Sequence, residues 1–170
     1  MLNVVKVLFN ICLLRDGPED LPCSYVFLGV LIIISLVVSV LIGSIVLNVN
    51  ISGLSSIAGL LFTFIFVKLL LLKKPERFFQ TFSAMLGTVT IINLISLPSV
   101  YSLTYLELSE TATMFFSLTG FALFIWVVIV YGYIFSRALS SLMGYGLAIS
   151  VGYALLSFMV LEYFARSTPT

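Results

Sequence analysis

Long runs of apolar residues constrain the fold of this chain more than any other feature of its sequence. Five runs reach the length of about 20 residues that a helix needs to cross the ~30 Å hydrocarbon core of a bilayer. In hydrocarbon, backbone groups must be satisfied internally, which a helix does within one segment. The sequence therefore predicts an all-α fold, a polytopic membrane helical bundle over residues 24–166. The runs cover residues 24–47, 53–72, 81–106, 113–135 and 139–164.

The charge content agrees with a membrane location. Only 9% of the residues are charged, against about 25% in soluble domains, and the mean hydropathy is +1.24. Such a chain cannot cover a water-facing surface, so the lipid bilayer is its expected surroundings. The net charge of +1 gives no reason to expect a nucleic-acid partner.

The first 23 residues are predicted to form a short helix and a linker. Asn3, Lys6 and Asn10 recur at helical spacing among apolar residues, and Gly17-Pro18 is a stop signal. This stretch is too short to span a bilayer. We expect it either in the cytoplasmic interface or packed against the bundle, and we expect it to remain on the mature protein because no cleavage site follows.

The basic residues predict the orientation. Placing the N-terminus in the cytoplasm puts seven of the eight lysines and arginines on the inner side, and only Arg166 outside. The C-terminal tail, residues 167–170, then lies outside. Lys73, Lys74 and Arg77, in an inner connector, are expected to contact anionic headgroups.

The residues of a common active site are missing from the sequence. The chain has no histidine, and its two cysteines, Cys12 and Cys23, have neither zinc-site spacing nor a disulfide framework around them. Its carboxylates are confined to the ends and connectors of the apolar runs. We therefore expect no catalytic centre, cofactor or metal ion.

Small residues recur at every fourth position in two of the runs. Such faces let membrane helices approach closely, either within the bundle or against a helix of a partner protein. One face comprises Ser140, Gly144, Ala148 and Gly152, and the other comprises Ser35, Ser39 and Gly43.

The third run is the most polar. Asn93 is the only amide deep in any run, and Pro98 follows it. In hydrocarbon an amide needs hydrogen-bond partners, so Asn93 is expected to bond a neighbouring helix or to border a small polar cavity. The candidate intramembrane polar site consists of Thr88, Thr90, Asn93 and Ser96.

Two short motifs resemble the YIP (Ypt-interacting protein) family of membrane proteins. Residues 84–88 (Ala-Met-Leu-Gly-Thr) with Leu97-Pro98 are similar to the glycine-containing third span of that family, and residues 14–22 are similar to the entry segment of its small bacterial members. The resemblance implies a five-span fold in a bacterial inner membrane. Eukaryotic members use a long N-terminal region to contact small GTPases. Only 23 residues precede the first apolar run of this sequence, so we do not expect it to bind a GTPase.

These features leave three hypotheses about function. The first is a non-enzymatic scaffold, accessory subunit or biogenesis or trafficking factor that acts through helix contacts with membrane partners or with itself. The second is a small transporter or channel subunit with a polar site around Asn93. The third, an enzyme acting on lipid, is the least favoured because histidine and buried acids are missing.

Overall fold

A computed structural model describes residues 2–167 of the chain, and side chains from Val4 to Tyr163. All regular structure in this part is helical, which confirms the predicted fold class, and five helices are long and apolar enough to cross a membrane. Residues 168–170, most of the predicted tail, lie outside the described residues. The helices are α1 (Leu2–Cys12), α2 (Tyr25–Val46), α3 (Val49–Leu70), α4 (Phe78–Tyr105), α5 (Glu110–Leu139) and α6 (Met143–Ser167).

The helix boundaries differ from the predicted ones where local chemistry extends a helix. We expected a connector over residues 48–52, but α3 begins at Val49 because Asn48 caps it, its side chain accepting a hydrogen bond from the Asn50 amide. Proline lacks a backbone N–H and commonly breaks a helix, yet α4 continues through Pro98 to Tyr105. Membrane helices tolerate proline because neighbouring groups re-satisfy the freed carbonyl.

The five long helices form a closed ring. Helix α2 packs on α3 and α4, α4 packs on α5, α5 packs on α6, and α6 returns to α3. One end of this ring, here called the basic end, carries residues 13–24, 71–77 and 140–142; the opposite end, the far end, carries the α2–α3 and α4–α5 connectors. Packing is tightest toward the basic end, where residues 81–88 of α4 are all buried.

Helix α1 packs against α4 and α5. Leu8, Ile11 and Cys12 are buried there, and Leu8 fills the space above Gly87, where an added Cβ would lie 2.5 Å from the leucine Cδ2. The Trp126 indole N–H donates to the Cys12 carbonyl at 3.1 Å. Of the two expected positions, α1 thus takes the one against the bundle; its place relative to the bilayer surface stays a prediction.

The small-residue face predicted for the last span does not pack against another helix. A Cβ at Gly144 or Gly152 would meet no atom within 4 Å, and Ala148 is exposed. Ser140 does not belong to α6 at all: it ends α5 in a left-handed conformation, with φ of 54°. The expectation of packing within the bundle along this face was wrong, because α6 turns a different side toward α5.

Gly146 and Gly132 are the residues that bring α5 and α6 together. A Cβ at Gly146 would overlap the Gly132 carbonyl oxygen and lie 2.7 Å from the Ser136 amide nitrogen. Ser150, one turn further along α6, donates from its hydroxyl to the Val128 carbonyl at 2.6 Å. This close backbone approach is the membrane-helix packing that small residues permit.

Candidate functional site: a cavity inside the helix ring

A cavity of about 410 Å³ lies inside the ring, and all five long helices contribute to its wall. It extends from Tyr131 and Tyr153 to Leu47 and Leu161, toward the far end. Most of the lining is apolar, with polar groups spaced through it. The polar side chains that line it are Ser35, Ser39, Ser55, Ser56, Thr63, Asn93, Tyr131, Tyr153 and Ser157.

Aromatic rings close the cavity on the side of the basic end. The Tyr153 ring lies 5.1 Å from Phe66, 5.6 Å from Phe62 and 5.4 Å from Tyr131, measured between centroids. Phe135 lies beneath them and is fully buried. The edge and stacked arrangements are those that aromatic rings favour, and in this structure they form the floor of the cavity.

The floor carries an oriented hydroxyl. Thr63 Oγ1 lies 2.8 Å from the Gly59 carbonyl of its own helix and 2.7 Å from the Tyr153 hydroxyl. The Thr63 hydroxyl has one proton, and the Gly59 carbonyl can only accept it. Tyr153 is then the donor to Thr63, so the Tyr153 oxygen keeps a lone pair to accept a hydrogen bond from a bound molecule.

The Asn93 amide lines the cavity and forms no hydrogen bond with protein in the described part of the chain. The expected bond to a neighbouring helix is therefore not made, and Asn93 instead borders a cavity whose lining is mostly apolar. An amide without a partner costs several kcal/mol in hydrocarbon. Water or a bound molecule in the cavity would supply the missing partners.

The other three members of the predicted polar site lie outside the cavity wall. Thr88 and Thr90 are buried and donate to the Ala84 and Leu86 carbonyls of α4, at 2.8 and 2.6 Å. Ser96 donates to the Asn93 carbonyl at 2.8 Å. These hydroxyls satisfy their own helix, as serine and threonine commonly do, so only Asn93 remains available.

The predicted face of α2 lines the cavity. Ser35 and Ser39 belong to the cavity wall, while Gly43 also packs against α3, where an added Cβ would overlap the Ser52 hydroxyl. Ser52 in turn donates to the Val40 carbonyl at 2.9 Å. The face is therefore a packing surface at one level and part of the cavity wall at the others.

Sequence analysis missed the contributions of α3, α5 and α6 to the cavity. Single serines, threonines and tyrosines in a span carry no signal alone, because each has a local acceptor within reach. Only the order of helices in the ring shows that they face one centre. Tyr131 and Tyr153 offered a weak signal, as the tyrosines nearest the middle of the last two spans.

The basic connector interacts with protein more than was expected. The Lys74 ammonium donates to the Leu139 carbonyl at 2.8 Å. Arg77 Nη1 donates to the Arg137 and Ala138 carbonyls, at 2.8 and 3.0 Å. These carbonyls end α5, where a cation is favourable to the helix dipole. Lys73 alone of the predicted headgroup residues is exposed without such a bond.

Comparison with protein-family models, with curated proteins and with solved structures finds no match to this chain. Its class therefore follows from the fold. Five apolar helices of 22 to 30 residues in one bundle define a multi-pass membrane protein.

Proposed function

We propose that this membrane protein binds a small neutral molecule in the cavity around Asn93 and works as a small transporter or channel subunit. The observation that carries the proposal is the Asn93 amide, which borders the cavity with no partner among the described residues. Polar groups exposed at depth in a membrane protein generally face a binding site or a solute path. Here a hydroxyl-bearing floor lies in the same cavity.

The lining selects for uncharged ligands. Apart from the two tyrosine hydroxyls of the floor, no ionisable group among the described residues lines the cavity, so a full charge would lose its hydration without compensation. The volume of about 410 Å³ falls within the range of small-molecule sites, about 300–1,000 Å³. The expected ligand is a small uncharged molecule that carries hydroxyl, carbonyl or amide groups.

The direction of access follows from the packing. The cavity ends at the aromatic floor and extends toward the far end, which places the entrance on that side. The clustering of Arg15, Lys73, Lys74, Arg77 and Arg137 at the basic end supports a cytoplasmic location for that end. We thus propose a bacterial inner-membrane protein, N-terminus inside, whose cavity opens outward; a reporter fused after Thr170 tests the orientation.

Solute entry into proteoliposomes tests the proposal. The shrinkage of the vesicles and the recovery of their volume are followed in a stopped-flow instrument after addition of glycerol, erythritol, urea or acetamide. The measurement is made for wild type, for Asn93→Leu and for Ser96→Ala. Leucine has the branched shape and heavy-atom count of asparagine without its hydrogen-bonding groups, and the Ser96 hydroxyl only bonds its own helix. We expect at least one solute to enter faster than in protein-free vesicles, and Asn93→Leu alone to abolish the gain. No faster entry of any solute, or equal entry with Asn93→Leu, would refute the proposal.

A second candidate is the non-enzymatic scaffold or accessory subunit, which the YIP-like motifs also favour. The outward face of Gly144, Ala148 and Gly152 supports it, because no atom of the described residues lies within 4 Å of a Cβ at either glycine. A photo-crosslinking residue at Ala148 should then capture one membrane protein, or a second copy, in native membranes. The same crosslinking residue at Leu142, which lies in the α5–α6 connector and is 84% exposed, is the control. Equal capture at both positions would argue against a specific face.

A further inference from the structure

A second polar pocket lies at the basic end, outside the membrane-buried ring. It has a volume of about 310 Å³ and lies between the 3-10 turn Pro18–Asp20, the start of α4 and the α5–α6 connector. Most of the residues in its wall are polar or charged, whereas most of the wall of the first cavity is apolar. It therefore calls for a ligand of different chemistry.

Two buried hydroxyls in this wall have no hydrogen-bond partner. Thr81 Oγ1 and Ser141 Oγ are the only such side-chain atoms among the described residues, and both belong to this pocket. Thr81 is only 1% exposed. A buried hydroxyl without a partner destabilises the fold, so finding both at one pocket indicates groups that a ligand satisfies.

Two guanidinium groups line the same pocket. Arg77 bonds the end of α5 through Nη1 only, which leaves its Nε and Nη2 protons without an acceptor in the described residues. Arg137 forms an ion pair with Glu19 through Nη2, on an exposed part of the wall. Glu19 is the only acid in the lining, so the cationic groups are in excess.

The backbone acceptors around the pocket are already occupied. The carbonyls at the end of α5 would repel an anion, but Lys74, Arg77 and the Ser141 amide bond them. The 3-10 turn Pro75–Arg77 runs directly into α4, and the Phe78 amide donates to the Pro75 carbonyl. The donors that remain for an anion are therefore side-chain groups.

From these contacts we infer that the pocket binds a phosphate group, carried by a lipid headgroup or free in solution. Paired guanidinium groups with hydroxyl donors are a typical arrangement for phosphate oxygens. The Glu19 carboxylate holds Arg137 when the pocket is empty and is displaced by the ligand. The turn that bears Glu19 stays in place, because the Gln80 amide donates to the Glu19 and Leu21 carbonyls at 3.0 and 3.1 Å.

Calorimetric titration of the purified protein in nonionic detergent tests the inference. The probes are inorganic phosphate and dihexanoyl phosphatidic acid, with dihexanoylglycerol as the uncharged control. Binding of phosphate would show that the group alone suffices; binding of phosphatidic acid alone would show that it is recognised on a lipid. Either supports the inference. Absence of binding by both probes at millimolar concentration would overturn it.

Four variants separate this pocket from general attraction to a basic surface. Arg137→Gln should weaken binding about tenfold, and Thr81→Val, nearly isosteric, should weaken it severalfold. Glu19→Gln removes the competing carboxylate of an exposed ion pair and should strengthen binding. Lys73→Gln, at an exposed position outside the pocket, should change affinity less than twofold. Equal losses in Lys73→Gln and Arg137→Gln, or no gain in Glu19→Gln, would overturn the inference.

Discussion

The glycines of α6 give a direct test of how the last two helices pack. Gly144 and Gly146 lie in the first turn of the same helix, yet only Gly146 faces α5. A methyl group at Gly146 would lie 2.7 Å from the Ser136 amide nitrogen and 2.8 Å from the Ser136 Cβ. Carbon contacts are comfortable at about 3.5–4.0 Å. The substitution Gly146→Ala must therefore push α5 and α6 apart by about 1 Å.

The cost follows from two opposing terms. Replacing a helical glycine by alanine gains about 0.5–1 kcal/mol from backbone entropy. Overpacking costs about 1–3 kcal/mol, and separation also stretches the Ser150 hydrogen bond to the Val128 carbonyl. At Gly144, where an added Cβ meets nothing within 4 Å, only the gain applies. Gly146→Ala should thus be about 1–3 kcal/mol less stable than Gly144→Ala.

The free energy of unfolding can be compared by titrating the protein in mild-detergent micelles with SDS. The single tryptophan, Trp126 on α5, reports the loss of tertiary structure. Wild type and the two alanine variants are measured under identical conditions. Errors in extrapolating the free energy of unfolding to zero SDS then cancel in the differences between proteins. A Gly146→Ala protein as stable as Gly144→Ala would refute the packing of α6 described above.

Three further predictions concern the N-terminal helix and the basic end. Burial raises the pKa of the Cys12 thiol from 9.0 to about 11, so its thiolate fraction at pH 8 falls about 100-fold. A maleimide should therefore label exposed Cys23 and leave Cys12 unmodified in the folded protein, which mass spectrometry of the peptides will show. Gly87→Leu should displace Leu8 and α1 and shift the tryptophan emission, whereas Gly120→Leu, with open space around it, should not. Arg77→Ala removes three hydrogen bonds to the end of α5 and should cost about 1–3 kcal/mol in the SDS titration, with partial recovery in Arg77→Lys.

The number and type of the helices could be predicted from the sequence because a membrane span needs a long run of apolar residues, and such a run can be read directly from the sequence. The rotation of each helix could not. Gly144 and Gly146 are two positions apart, which is about 200° around a helix, so the outward and inward faces of α6 both contain small residues. Which face packs depends on the shape of α5 near Gly132. The periodicity of the α6 sequence carries no information about that shape.

The candidate site was predictable only in its most unusual member. Asn93 could be singled out because an amide is costly in hydrocarbon. Ser35 and Ser39 could be seen as a face, but their role depends on what lies opposite, and Thr63 and Tyr153 meet across 90 residues of sequence. Such long-range pairs depend on the order of helices in the ring, which sequence alone does not specify.

The most direct test of the account is the chemical accessibility of the cavity wall. In a Cys23→Ser background, Ser56→Cys places a thiol in the cavity, while Leu61→Cys, on the same helix, places one on the outer surface, 54% exposed. A charged methanethiosulfonate reagent modifies thiolates, which form in water and not in lipid. We predict that Ser56→Cys reacts when the reagent is added on the side of the far end, and that Leu61→Cys does not. Equal reactivity of the two thiols, or no reaction at Ser56→Cys from either side, would contradict a hydrated cavity inside the helix ring.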